Sequence, residues 1–183
     1  MKSVLISIKP KWCELIASGK KTIEVRKTRP KCDTPFKCYI YCTKDFKPNI
    51  KYGYKLWAGR GKVLGEFVCD NIDTYDDDTI FAFQYEDYTR WNDFDLNRAC
   101  VHPEEFQNYA NGKWLYGWHI SDLVIYNKPK ELSEFYKYGI LSYDEWLYEI
   151  YNGKGGATSS YESYKNVFKL TGPPQSWCYA EII

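Results

Sequence analysis

Three ionisable side chains, Lys21, Glu24 and Arg26, fall within six positions of one another, just after Gly19. A buried strand would not need them; a strand lining a polar cleft would. An ammonium beside a carboxylate can hold two parts of a nucleotide together. The ammonium takes the phosphate, and the carboxylate accepts from an exocyclic amine of the base. The competing reading is an exposed salt bridge, worth little. Lys27 continues the run of cations, and Ser7 and Lys9 lie on the polar side of the preceding apolar alternation. Trp12 or Trp177 offers a ring on which an unpaired base can stack. Cleavage of RNA would also require an acid and a base near the scissile phosphate. For that chemistry Lys21 would stabilise developing charge, and Tyr41 or Ser176 would supply a hydroxyl.

The elements that must position these groups follow from periodicity. Val4, Ile6 and Ile8 alternate with Leu5, Ser7 and Lys9, the period of a half-buried strand. Pro10 suits the first turn of a helix, Trp12, Leu15 and Ile16 give it an apolar face, and Gly19 is placed to cap it. A strand then runs from about residue 22 to 27. Ile23 and Val25 point one way, and Thr22, Glu24 and Arg26 the other. Lys21 has the parity of Ile23 but sits at the junction, so spacing leaves open whether it meets Glu24. Further strands are expected around Cys38–Cys42, Val63–Cys69, residues 114–126 and residues 176–183, the last with Ile182 and Ile183 in the core. Helices are expected from Pro103, with Phe106, Tyr109 and Ala110 buried, and after Ser142, which Glu145 completes as a capping box. His119 reads as a hydrogen-bonded structural residue.

Composition narrows the function classes. The 183 residues suit one domain with elaborations, and 44% hydrophobic content is enough for a soluble core. The 19% aromatic share includes 18 Tyr and 7 Trp, which fits a β-rich core or a stacking surface. No apolar run reaches the roughly 20 residues of a membrane span. Seven irregularly spaced Cys and the lack of a leader pattern suggest free thiols in a reducing cytoplasm. A metal is not expected: Cys38 and Cys42 share a strand face but lie roughly 13 Å apart, too far for one ion. The acidic run Asp73, Asp76, Asp77 and Asp78 lacks calcium-loop spacing and reads as a solvated turn. Gly59, Gly61 and Gly65 make no dinucleotide fingerprint, and no cofactor is expected.

The net charge of +1 conceals a strong asymmetry. Residues 1–62 carry 16 Lys/Arg against 4 Asp/Glu, whereas residues 63–183 carry 9 against 20. One face can therefore attract phosphates while the other stays acidic, unless folding mixes the halves. Residues 44–62 interleave cations with aromatics and glycines, a pattern used to hold single-stranded nucleic acid.

The run Ile6-Ser7-Ile8-Lys9-Pro10, the short helix and Gly19-x-Lys21-x-x-Glu24-x-Arg26 resemble the signature of the ASCH domain family, of the PUA-like superfamily. Gly117-Trp118-His119-Ile120-Ser121-Asp122-Leu123 resembles its penultimate strand, and Pro173-Pro174-Gln175-Ser176-Trp177-Cys178-Tyr179 the closing strand of its small bacterial and phage-related members. The resemblance implies an α+β fold: a PUA-like twisted β-barrel with short helices packed at its openings. It also implies a single domain over 1–183, with insertions at 71–99 and 133–172, and a cleft lined by Lys21 and Glu24. The ligand implied is nucleic acid, above all single-stranded or modified RNA. Ligand contacts are expected from Ser7, Lys9, Trp12, Lys21, Glu24, Arg26, Lys27, Tyr41, Ser121, Ser176 and Trp177. The enzymatic alternatives among relatives are single-strand ribonuclease and amide hydrolysis of acylated cytidine. The hydrolases carry Thr three positions after the Lys; here that position is Glu24, so ribonuclease comes first of the two.

Overall fold

The protein is described by a computed structural model covering residues 2–44, 59–80, 95–152 and 160–182. Residues 45–58 of the basic and aromatic stretch, residues 153–156 of the Gly-rich stretch, and Ile183 lie outside the described residues.

Two sheets organise the chain. The larger has six strands in the order β7-β4-β3-β1-β9-β8. These are β1 (Ser3–Ile8), β3 (Phe36–Cys42), β4 (Val63–Cys69), β7 (Ser121–Lys130), β8 (Tyr136–Lys137) and β9 (Trp177–Glu181). Only β1 and β3 pair in parallel, with Ile6 opposite Ile40; the other named pairings are antiparallel. The smaller sheet has the order β2-β6-β5, from β2 (Ile23–Arg26), β6 (Leu115–His119) and β5 (Ile72–Tyr75). Among the described residues these pairings form two sheets and do not close into one ring.

The first core lies between the sheets. Val4, Ile6 and Ile8 of β1, Cys38, Ile40 and Cys42 of β3, and Phe67 of β4 meet Trp118 of β6 there. Helix α1 (Pro10–Ala17) adds Cys13 and Ile16 to it. A second core covers the outer face of the small sheet. Ile23, Val25, Tyr75 and Leu115 pack against Ala99 of α2 (Asp95–Ala99) and Phe106 and Ala110 of α3 (Pro103–Ala110). A third covers the outer face of the large sheet, where Leu5, Tyr39 and Tyr41 meet Phe135, Leu170 and Ala180.

These layers correct the reading of β1 as half-buried. All six of its residues are buried, because the segment after β7 covers the face opposite the first core. The two serines on β1 therefore bond inward, Ser3 Oγ to the Ala180 carbonyl and Ser7 Oγ to the Pro174 carbonyl at 2.7 Å.

Three other expectations are revised. Part of the acidic run is not a turn: Ile72–Tyr75 is strand β5, paired with β6 through Ile72 opposite Trp118. Asp76 does cap the next turn, accepting from Thr79 N at 2.9 Å. Ile182 is 37% exposed and not core, since the register of β9 against β8 ends at Glu181. Tyr109 is 41% exposed rather than buried on α3.

The segment 114–126 divides into β6 and β7 at Ile120, and Asp122 takes a left-handed φ of 46°. That break sends β6 to the small sheet and β7 to the large one. The capping box at Ser142 is present and opens α4 (Tyr143–Tyr151), with Glu145 Oε2 accepting from Ser142 N at 2.8 Å. Helix α5 (Tyr161–Phe168) lies beside α4, and Tyr143, Trp146, Tyr161 and Tyr164 form a ring cluster with centroids 5.3 to 6.4 Å apart.

Candidate functional site

The turn from α1 into β2 places Lys21. Gly19 has φ +73°, a left-handed conformation that glycine adopts without strain. Lys21 N then donates back to the Leu15 carbonyl at 3.0 Å, which folds the junction against the helix end. The side chain is redirected toward Glu24 and is 2% exposed. Lys21 Nζ donates to the Ala99 carbonyl at 2.5 Å and stands 3.5 Å from Glu24 Oε2. It also lies 4.9 Å from the centre of the Trp12 ring. Burial pulls the Lys21 pKa below the usual lysine value, against the opposing pull of Glu24.

Glu24 and Arg26 share the face of β2 opposite Ile23 and Val25. Arg26 Nη2 is 3.1 Å from Glu24 Oε1 and donates to the Ser7 carbonyl at 2.5 Å. Glu24 is 5% exposed and Arg26 9%. The carboxylate is thus held between two cations at the end of the first core, and the surface salt-bridge reading does not describe it. Arg26 Nε is buried and has no hydrogen-bond partner.

Above this triad is a cavity of about 530 Å³. Ser7, Lys9, Trp12, Lys21, Glu24 and Arg26 line it, so the structure brings together six of the residues singled out from sequence. Lys27 flanks it, 5.0 Å from the ring centre of Tyr109, which is a lining residue. The other four lie elsewhere. Tyr41 is 3% exposed within the third core, on the far face of the large sheet. Ser121 Oγ donates to the Val68 carbonyl at 2.9 Å at the start of β7. Ser176 offers its carbonyl to Ser7 N at 2.8 Å, and it is the neighbouring Gln175 that lines the cavity. Trp177 packs against Trp118, ring centres 6.1 Å apart, and its Nε1 donates to Thr28 Oγ1 at 2.9 Å.

Several lining residues carried no sequence signal for the site. Thr43 follows β3, and Val101, Glu105, Phe106, Asn108 and Tyr109 come from α3 and the residue two before it. Tyr109 had a helical periodicity that read as core. A second polar cluster borders the small sheet. His119 Nε2 lies 2.5 Å from Asp73 Oδ2, Asn71 Nδ2 donates to Asp73 Oδ1 at 2.9 Å, and Arg98 Nε donates to Thr22 Oγ1 at 3.1 Å. This ties β5 and β6 to the α2 segment that holds Lys21. Among the described residues no group of His, Cys, Asp and Glu is arranged to hold a metal ion.

A profile of the ASCH domain matches residues 6–171. The chain belongs to the ASCH domain family. No curated protein matches its sequence. Among solved structures, the ASCH protein from Zymomonas mobilis is 18% identical, covers 97% of this chain and 87% of its own, and superposes with a TM-score of 0.53. Two point variants of that protein match at 17% and 20% identity, with TM-scores of 0.52 and 0.54 and coverage of 97 to 98% of this chain and 87 to 90% of theirs. At such identities the likeness is one of fold. Lys21, Glu24 and Arg26, whose spacing carried the resemblance in the sequence, form the triad at the floor of the cavity. In this ASCH chain no helix among the described residues is long and apolar enough to cross a membrane.

Proposed function

We propose that this ASCH chain binds single-stranded or modified RNA by drawing one unpaired base into the cavity above Lys21, Glu24 and Arg26. The observation that carries this reading is a buried carboxylate held between two cations at the base of a ring-walled cavity. Glu24 offers acceptors to exocyclic amino and ring N–H groups of a base. Trp12 and Tyr109 supply ring faces from two different helices. Lys9 and Lys27 stand where flanking backbone phosphates would pass. The volume of about 530 Å³ falls within the range of small-ligand sites. The test is fluorescence anisotropy with short single-stranded RNAs and a duplex control. Single strands should bind better than the duplex, and Trp12→Ala should weaken binding by roughly tenfold, the scale of one lost stacking contact. Equal binding of single and double strands, unmoved by Trp12→Ala, would sink the reading.

A second reading is hydrolysis of RNA or of an acylated base. It is favoured by one observation: Thr43 lines the cavity that holds Lys21, whose burial lowers its pKa and so eases proton exchange with a reacting group. Product formation from single-stranded RNA or an N4-acylcytidine, abolished by Thr43→Val, would establish it. Binding without product would leave the chain a recognition module.

A further inference from the structure

The floor of the cavity holds more positive than negative charge. Lys21 and Arg26 flank one carboxylate, and all three residues are at least nine-tenths buried. At the mouth, Lys9 lines the cavity and is exposed. The acid there, Glu105, already stands 3.9 Å from Lys11. Buried N–H groups in folded proteins are nearly always bonded, and a buried charge without full compensation is costly. Arg26 meets neither expectation: its Nη2 is engaged by Ser7 and Glu24, but its buried Nε has no partner.

Lys21 is not the group to receive an anion. Its ammonium is spent on the Ala99 carbonyl, Glu24 and the Trp12 ring, and it is almost fully enclosed. Arg26 lines the cavity and keeps some side-chain exposure there, and a guanidinium fork matches phosphate oxygens better than an ammonium does. The geometry points to Arg26, supported by Lys9, as the seat of a phosphate group, so that the cavity takes nucleotides in preference to nucleosides. This rests on the nucleic-acid reading above and adds the anchor to it. The base then faces Glu24 and the rings, and the phosphate offsets the excess positive charge of the floor.

Isothermal titration of the full chain tests this with cytidine, adenosine, their monophosphates and inorganic phosphate. Each monophosphate should bind at least about tenfold tighter than its nucleoside, the scale of one charge-assisted hydrogen bond. Arg26→Lys keeps the charge but removes the fork and Nε, and should erase that preference. Lys9→Gln should weaken the monophosphates only several-fold and keep a preference for them over nucleosides; loss of the whole preference in Lys9→Gln would move the seat from Arg26 to the mouth, a reading that holds whether or not Arg26→Lys folds. Equal binding of nucleoside and monophosphate would overturn the phosphate seat and leave the nucleic-acid reading standing. Inorganic phosphate binding as tightly as the nucleotides would overturn the nucleotide preference. Failure of every probe, single-stranded RNA included, would overturn both. A hexanucleotide with and without a 5′-phosphate separates the sources. A gain from the phosphate supports a chain end, and equal salt-dependent binding supports a diester within the chain.

Discussion

At the residue scale, the burial of the triad decides how its variants behave. Glu24→Ala leaves two enclosed cations facing each other and should cost about 3–5 kcal/mol, the scale for removing one partner of a buried ion pair. An exposed pair would cost under about 1 kcal/mol, so urea unfolding separates the two cases. Glu24→Gln keeps the shape and some hydrogen bonding, and is the variant suited to binding assays. Lys21 adds a pH signature. Its folded pKa is lowered by burial, so the folded state releases the proton before the unfolded chain does. The ammonium therefore costs stability at low and neutral pH. That cost recedes as pH rises from the lowered folded value toward the ordinary lysine value of 10.5. Because desolvated tyrosines such as the buried Tyr39 and the partly exposed Tyr109 have raised pKa values and act in the opposite sense, the readout is a difference. The stability of the wild type minus that of Lys21→Met should increase across this window. A difference flat with pH would mean that Lys21 is not desolvated.

At the scale of elements, the small sheet depends on close approach. A Cβ on Gly117 of β6 would lie 2.6 Å from Tyr75 Oη, 2.9 Å from Tyr75 Cε2 and 3.0 Å from Ile23 Cγ2. Gly117→Ala must push β2 and β5 apart, and overpacking of this kind costs about 1–3 kcal/mol. Because β2 carries the triad, the same variant should also weaken ligand binding, which stability and anisotropy measured together would reveal. The cap of α4 is an independent case. Ser142→Ala removes the bonds made by Ser142 Oγ, including the one it accepts from Glu145 N, keeps the backbone bond from Ser142 N to Glu145, and should cost about 0.5–2 kcal/mol, with no effect at the cavity. A binding defect in Ser142→Ala would tie α4 to the site.

At the scale of the molecule, the chain's two ends meet in the large sheet. β9 lies between β1 and β8, and its Ala180 is fully buried. Deleting residues 176–183 exposes one edge of β1 and removes its pairing with Tyr179, Cys178 and Trp177. The truncated chain should not melt cooperatively; cooperative melting would contradict this topology. The charge asymmetry is partly neutralised by folding. Lys11, Lys37 and Lys62, all from the basic third, approach Glu105, Glu66 and Glu131 from the remainder at 3.9, 2.7 and 2.6 Å. The cations left at the cavity are few, so the salt slope of single-stranded RNA binding should reflect about three phosphates and be near −2 in log–log form. A slope approaching that of the whole basic third would place the interface on a wider surface than this cavity.

The sequence by itself determined many of the elements, though not β5. Alternation marked β1, β3, β4 and β6, and prolines at 10 and 103 and the Ser142 box marked helix starts, because these signals are local to one strand or turn. Strand parity alone put Glu24 and Arg26 opposite Ile23 and Val25. Tertiary structure decided which faces are covered and what meets across the chain. Parity set Tyr41 opposite Ile40 on its own strand but could not tell that Leu5, Phe135 and Leu170 bury that face, so the Tyr41 hydroxyl read as available. Lys21 had the wrong parity for its partner, and only the turn after Gly19 and the Ala99 carbonyl, 78 positions away, bring it to Glu24. Tyr109 and Thr43 reach the cavity in the same way. A pattern of residue types encodes orientation within an element, whereas a site assembled from several elements depends on how their covered faces pack.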